Sequence, residues 1–285
     1  MEVNMKKYLL TAIGYSLILA IFMPPGITEE TAEKPLSVDE IVNRTNRASY
    51  YQGKDGRARV SMVITDSQGR ERNRKFTILR RDDPDPTNPD NDSYTEDQKS
   101  YVYFQRPADV NKMVFMVWKN AEQGKDDDRW LYLPALDLVK RIAGTEKRTS
   151  FVGSDFFYED VSGRNINDDT HVLEKITDNY YLLKNTPKDP DSVEFKDYTI
   201  WVHKDTFLPV KIEYFAKNGE KYREYSALGV ETIQGFPTVT KASMKNLKTG
   251  NETVMTYEDV KYDLGLPDNI FTERYLRKPP REFLR

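Results

Sequence analysis

Hydrophobic residues recur with a period of two along most of this 285-residue chain, and that pattern is compatible with few folds. Ala58, Val60, Met62 and Ile64 alternate with Arg59, Ser61 and Thr65. The turn Asp66-Ser67-Gln68-Gly69 follows, and Arg70 to Arg81 puts Phe76 and Ile78 on one face, so the pair reads as a hairpin. The same reading predicts strands at 99–105, 112–118, 129–133, 138–142, 171–176, 180–184, 198–203, 209–215, 221–228, 238–246 and 253–262. Asn218-Gly219 and Thr249-Gly250 are tight-turn pairs. Many strands joined by short turns, with no helices alternating between them, specify a mainly β chain. Its sheet is antiparallel and curls into a barrel or half-barrel.

One helix precedes the strands. Ser37 can cap it, Glu40 completes a capping box, and Leu36 and Ile41 are spaced as a hydrophobic staple. Val38, Ile41, Val42, Thr45 and Ala48 then share a face. Further upstream, Lys6 and Lys7 lead into an uncharged apolar run, Tyr8 to Met23, closed by Pro24-Pro25-Gly26. The run is shorter than the about 20 residues of a membrane span and has the layout of an export signal. Residues 1–28 therefore read as a signal peptide or an uncleaved inner-membrane anchor, 29–36 as a polar spacer and 37–285 as one domain exported to the periplasm. There is no cysteine, which excludes disulfides, thiolate metal sites, a thiol nucleophile and a lipid-modified cysteine. The net charge of -3 carries no nucleic-acid footprint.

Ser150 to Asp160, S-F-V-G-S-D-F-F-Y-E-D, breaks the alternation. Phe156, Phe157 and Tyr158 stand side by side, so their rings point to both faces of the backbone that carries them. A segment this aromatic is buried on two sides or lines a cavity. Two other loops are acidic. The stretch 82–98 is rich in proline and carboxylates and reads as a mobile insertion. Asp126-Asp127-Asp128 lacks the spacing and the distal glutamate of a calcium loop and reads as a solvated turn.

Three of these stretches together resemble one family. The run Asp128 to Leu136 (D-R-W-L-Y-L-P-A-L), then Lys140-Arg141-Ile142, then Ser150 to Asp160, is similar to the outer membrane lipoprotein-sorting proteins, the LolA-like periplasmic carriers. Trp201 to Lys211 and Gly219 agree, and the resemblance runs from about Ser37 to Leu276. It implies an unclosed, strongly curved antiparallel β-barrel with short lid helices. It implies an apolar cavity on the concave face that takes lipid or acyl chains. It also implies lipid or an acylated lipoprotein as cargo, an inner-membrane exporter of the RND or MMPL type as donor, and no cofactor. The insertion at 82–98 is longer than the resemblance implies.

The cavity candidates are Met113, Phe115, Met116, Trp118, Trp130, Tyr132, Phe151, Phe156, Phe157, Tyr158 and Trp201. The run Met113 to Trp118 is apolar on both faces, as expected of a strand between a cavity and a lid. Met113, Met116, Met244 and Met255 suit an adaptable pocket. At least one tryptophan is expected beside the ligand. Two rival classes stand beside the carrier. A glycoside hydrolase or lyase would draw on Asp155, Glu159 and Asp160. In an extended segment Asp155 and Glu159 would lie about 13 Å apart, beyond the about 5–9.5 Å of paired glycosidase carboxylates; a helical turn would bring them to about 6 Å. In a carrier the three carboxylates are structural, holding backbone amides or arginines. The imidazoles are His171 and His203, and His203 sits in a strand pattern beside Trp201. No G-x-S-x-G, Walker or zincin motif occurs. The third class is a structural envelope protein without a ligand.

Overall fold

Each predicted strand is present in the computed structural model, which describes residues 36–83, 97–122 and 124–285. The apolar run Tyr8 to Met23 and most of the acidic insertion lie outside the described residues. No helix among the described residues is long and apolar enough to cross a membrane. The strands are β1 (Asp55–Thr65), β2 (Glu71–Asp82), β3 (Gln98–Arg106), β4 (Val114–Lys119), β5 (Asp128–Leu133), β6 (Leu138–Arg141) and β7 (Asp169–Ile176). They continue as β8 (Tyr180–Pro187), β9 (Phe195–His203), β10 (Pro209–Ala216), β11 (Lys221–Ile233), β12 (Phe236–Asn246) and β13 (Asn251–Tyr262).

All thirteen join one sheet in the order β6-β5-β4-β3-β2-β1-β13-β12-β11-β10-β9-β8-β7. Every neighbouring pair is antiparallel. β1 pairs with β13, and β6 and β7 are the two free edges, so the sheet is curled and unclosed. Phe76 on β2, Tyr225 on β11 and Ile212 on β10 line one cavity. In a flat sheet β2 and β10 would stand about 24 Å apart at the usual strand spacing. Their convergence defines the concave face.

The helix α1 (Val38–Tyr50) begins as its sequence predicts. The Ser37 hydroxyl accepts a hydrogen bond from the Glu40 amide at 3.1 Å. The Glu40 carboxylate does not close the capping box; it pairs with Arg44 at 2.6 Å instead. Ile41 and Val42 pack on Leu183 and Val202 of β8 and β9, with Leu36 against the same cluster. The other end of α1 is held by the sheet. Arg80 and Gln98 donate to the Tyr50 carbonyl at 2.7 and 2.8 Å, satisfying an orphan carbonyl at the positive-seeking end of the helix.

The two faces of β4 explain its unbroken apolar run. Phe115 and Val117 point to the concave side and meet Phe151 and Tyr158. Val114 and Met116 point to the other side, where the C-terminal segment 264–285 covers them with Leu266, Ile270, Phe271, Leu276 and Leu284. Asp55 anchors that segment by accepting the Leu264 and Leu266 amides at 2.6 and 2.8 Å. The segment includes the short helix α3 (Glu273–Arg277).

Candidate functional site

A cavity of about 290 Å³ lies between the C-terminal end of α1 and the concave face. That is near the lower end of the about 300–1,000 Å³ of small-ligand pockets. Ala58, Phe76, Ile78, Met244 and Met255 form its apolar wall on β1, β2, β12 and β13. Leu208, Pro209 and Ile212 close it from the side of β10, and Phe151, Phe156 and Val161 from the aromatic segment. Tyr50, Tyr214, Tyr225 and Tyr257 also line it. A smaller cavity of about 100 Å³ adjoins it, sharing Ser49, Tyr50, Asp160, Pro209, Ile212 and Tyr214 as walls.

The aromatic segment is a miniature hairpin. Phe151 N–H donates to the Phe156 carbonyl at 2.8 Å, and Ser150 bridges Phe157. Val152 and Gly153 turn it, both with positive φ, +49° and +79°. The combination suits a I′-type turn, where glycine is at ease and a β-branched residue is strained. From Tyr158 the chain enters the short helix α2 (Tyr158–Ser162). The three adjacent rings do point both ways. Phe156 and Tyr158 join the apolar cluster with Phe151, Phe104 and Phe115. Phe157 points away, beneath the guanidinium groups of Arg223 and Arg148 at 4.0 and 5.1 Å.

Each carboxylate of this segment is tied down. Asp155 accepts from the Thr253 hydroxyl at 2.7 Å, and burial pushes its carboxyl pKa up. Asp160 accepts the Phe157 amide at 2.6 Å and pairs with Arg223. Glu159 is nearly buried and meets Arg148, Arg164 and Lys147. Burial alone would raise its carboxyl, but the three cations outweigh burial and hold it at about 2. The network continues outward. Arg148 grips Glu194 with two bonds of 2.6 Å, and Arg164 grips Asp169 with two of 2.8 Å. Tyr222 and Tyr198 donate to those same two acids. In this arrangement the acids position α2 and the hairpin, and none is placed as a free acid–base pair.

The other expected residues fall in different surroundings. Phe151 and Phe156 line the cavity. Phe115 and Tyr158 lie behind them in the same cluster, with Met113 packed against it. Met116, Trp118 and Trp130 face the C-terminal segment on the convex side, and the Trp118 indole donates to the Phe271 carbonyl at 2.7 Å. Tyr132 packs at the edge of that same cluster. Trp201 stands under the Lys211 ammonium at 5.0 Å. No tryptophan is among the described residues that line the cavity. The four tyrosines, Ala58, Ile78 and Ile212 were not singled out by sequence, because each is an ordinary member of an alternating strand or of a helix end. Of the histidines, His171 bonds Asn185 and the Ile166 carbonyl, and His203 bonds Thr206. Within the acidic turn, Asp127 accepts the Asn120 amide and pairs with Arg129.

A family model described as that of an uncharacterized protein matches residues 96–278. A solved DUF1329 family protein from Desulfovibrio piger is 30% identical, with a TM-score of 0.74, over 84% of this chain and 97% of that one. An outer membrane lipoprotein-sorting protein domain assigned in Vibrio parahaemolyticus is 24% identical, with a TM-score of 0.72, over 84% and 97%. A LolA superfamily protein from Nitrosomonas europaea is 21% identical, with a TM-score of 0.63, over 85% and 100%. The latter two share the LolA-like fold with this chain. A search of the curated proteins finds none that matches.

Proposed function

This chain belongs to the DUF1329 family, and from that premise and its LolA-like fold we propose that it is a periplasmic carrier of lipid or lipoprotein acyl chains. The observation that carries this reading is the cavity of about 290 Å³ on the concave face, walled mainly by apolar and aromatic side chains. The cargo would be taken up at one envelope membrane and released at another, with an inner-membrane exporter of the RND or MMPL type as donor.

The energetics suit transport. Burying a methylene from water yields about 0.8 kcal/mol, but a chain leaving a bilayer passes from one apolar medium to another. Most of that gain cancels, so a modest pocket can both accept and release a chain. Met244 and Met255 in the wall add adaptability. A carrier also accounts for the acids of the aromatic segment better than an enzyme does, since arginines and hydroxyls occupy all three.

The test is mass spectrometry of organic extracts from protein purified natively from its own cell envelope. An acylated lipid or lipoprotein present in near-stoichiometric amount is the expected result. Protein that is folded and free of any lipid would overturn the proposal in favour of a ligand-free envelope role.

A further inference from the structure

We propose that Tyr50, Tyr214, Tyr225 and Tyr257 form a hydrogen-bonding station inside the cavity that selects an apolar ligand carrying one uncharged polar group, an alcohol or an ester carbonyl. The proposal rests on the carrier reading and adds the chemical class of the cargo.

These four tyrosines line the same cavity, yet they come from α1, β10, β11 and β13; a fifth, Tyr262, also lines it but its hydroxyl is already bonded to Thr238 at 2.9 Å. Their hydroxyls are poorly used by the protein. Tyr50 reaches the Asp160 carbonyl only at 3.5 Å, and Tyr257 reaches the Met255 thioether, a weak acceptor, at 3.5 Å. Tyr214 and Tyr225 have no hydrogen-bond partner among the described residues. A wall built only to hold acyl chains would be served by phenylalanine, which packs the same ring without a polar atom to desolvate. Phe76, Phe151 and Phe156 line the same cavity and do that.

The surroundings favour a neutral ligand group over an anion. Two guanidinium groups belong to the wall: Arg80 is consumed by Asp82 and by the Tyr50 and Gly53 carbonyls, and Arg57 is paired with Asp259 at 3.1 Å. Arg223 is paired with Asp160, whose carboxylate is itself part of the wall. An incoming carboxylate would find phenols but no uncommitted cation, and would lose its hydration without compensation. Burial holds all four phenols above their ordinary range, with neighbouring phenols raising Tyr50 and Tyr225 further, so they stay protonated as neutral donors and acceptors. An alcohol can both donate to and accept from such a group; an ester carbonyl can accept from it.

The test uses the full chain and the apolar fluorescent probe N-phenyl-1-naphthylamine, displaced at pH 8 by 1-dodecanol or by dodecanoate below its micellar concentration. 1-Dodecanol is expected to displace the probe at a concentration at least about ten-fold lower than dodecanoate. Tyr214→Phe and Tyr225→Phe are each expected to weaken dodecanol about five-fold, the worth of one neutral hydrogen bond, once each variant's own affinity for the probe is taken into account. The comparison of the two ligands on the unaltered chain needs no variant to fold. Dodecanoate binding as tightly as dodecanol, or both variants holding dodecanol like the parent, would overturn the tyrosine station and leave the carrier standing. A probe that never enters the unaltered protein would overturn both.

Discussion

The concave face has two halves built from the same alternating pattern, and they end in opposite states. Over β3 and β4 the inward side chains meet Phe151 and Tyr158, and Phe104 and Phe115 are all but fully buried. Over β10 to β13 the inward side chains Ile212, Tyr214, Tyr225 and Tyr257 border open space. The difference lies in one segment of chain. The hairpin at 150–157 folds into the first half and stops at the second, where Phe151 and Phe156 become part of the cavity wall. A period of two says which residues point inward; it does not say whether anything is there to meet them.

The largest expected contrast comes from truncating one residue on each side. Phe115→Ala, in the filled half, should destabilise by about 3–5 kcal/mol, the range for a fully packed aromatic. Ile212→Ala, at the open half, should lose about 1 kcal/mol, because part of its surface already faces space. Denaturant melts of the two variants check this, and equal losses would mean that both halves are filled.

Next in size is the ionic anchor of the hairpin. Glu159→Gln should destabilise by about 3 kcal/mol, since it leaves Arg148 and Arg164 buried without their shared carboxylate. The parent's acid sensitivity follows from the same group. Its folded pKa of about 2 lies below the ordinary 4.5, so its contribution is complete above about 4.5 and is lost as pH falls through 2. Melting temperatures between pH 6 and pH 2.5 should fall less steeply in Glu159→Gln than in the parent. Parallel curves would place the acid-labile contacts elsewhere.

The smallest effect is expected at Asp155. Asparagine keeps an acceptor for the Thr253 hydroxyl, and burial already works against the charge, so Asp155→Asn should change stability by less than about 1 kcal/mol. A larger loss in a melt would make its charge, and hence Arg223 or Arg72, part of what holds the hairpin in place.

The strands were legible because alternation and turns are local, and so was the start of α1 at Ser37. The double-sided aromatic segment was legible for the same reason. What sequence could not supply was the partner of each face. Met116, Trp118 and Trp130 read as cavity candidates because β4 and β5 are apolar on the side that a remote C-terminal segment covers, and nothing local announces that cover. The four tyrosines carry no local signal, because Tyr214, Tyr225 and Tyr257 converge on Tyr50 only through the curvature of the sheet across β13, β12, β11 and β10. The arginine–carboxylate network was hidden similarly, its members scattered from Arg148 to Arg223.

The most direct measurement is the transfer of a fluorescent phospholipid from donor to acceptor vesicles by the parent and by Ala58→Phe. Ala58 lines the cavity, and a phenyl ring there takes up part of its space while the open half absorbs the added volume. The parent should accelerate transfer in proportion to its concentration, and Ala58→Phe should not, although it melts within a few degrees of the parent. Transfer no faster than between vesicles alone, or equal transfer by both proteins, would contradict a carrier that works through this cavity.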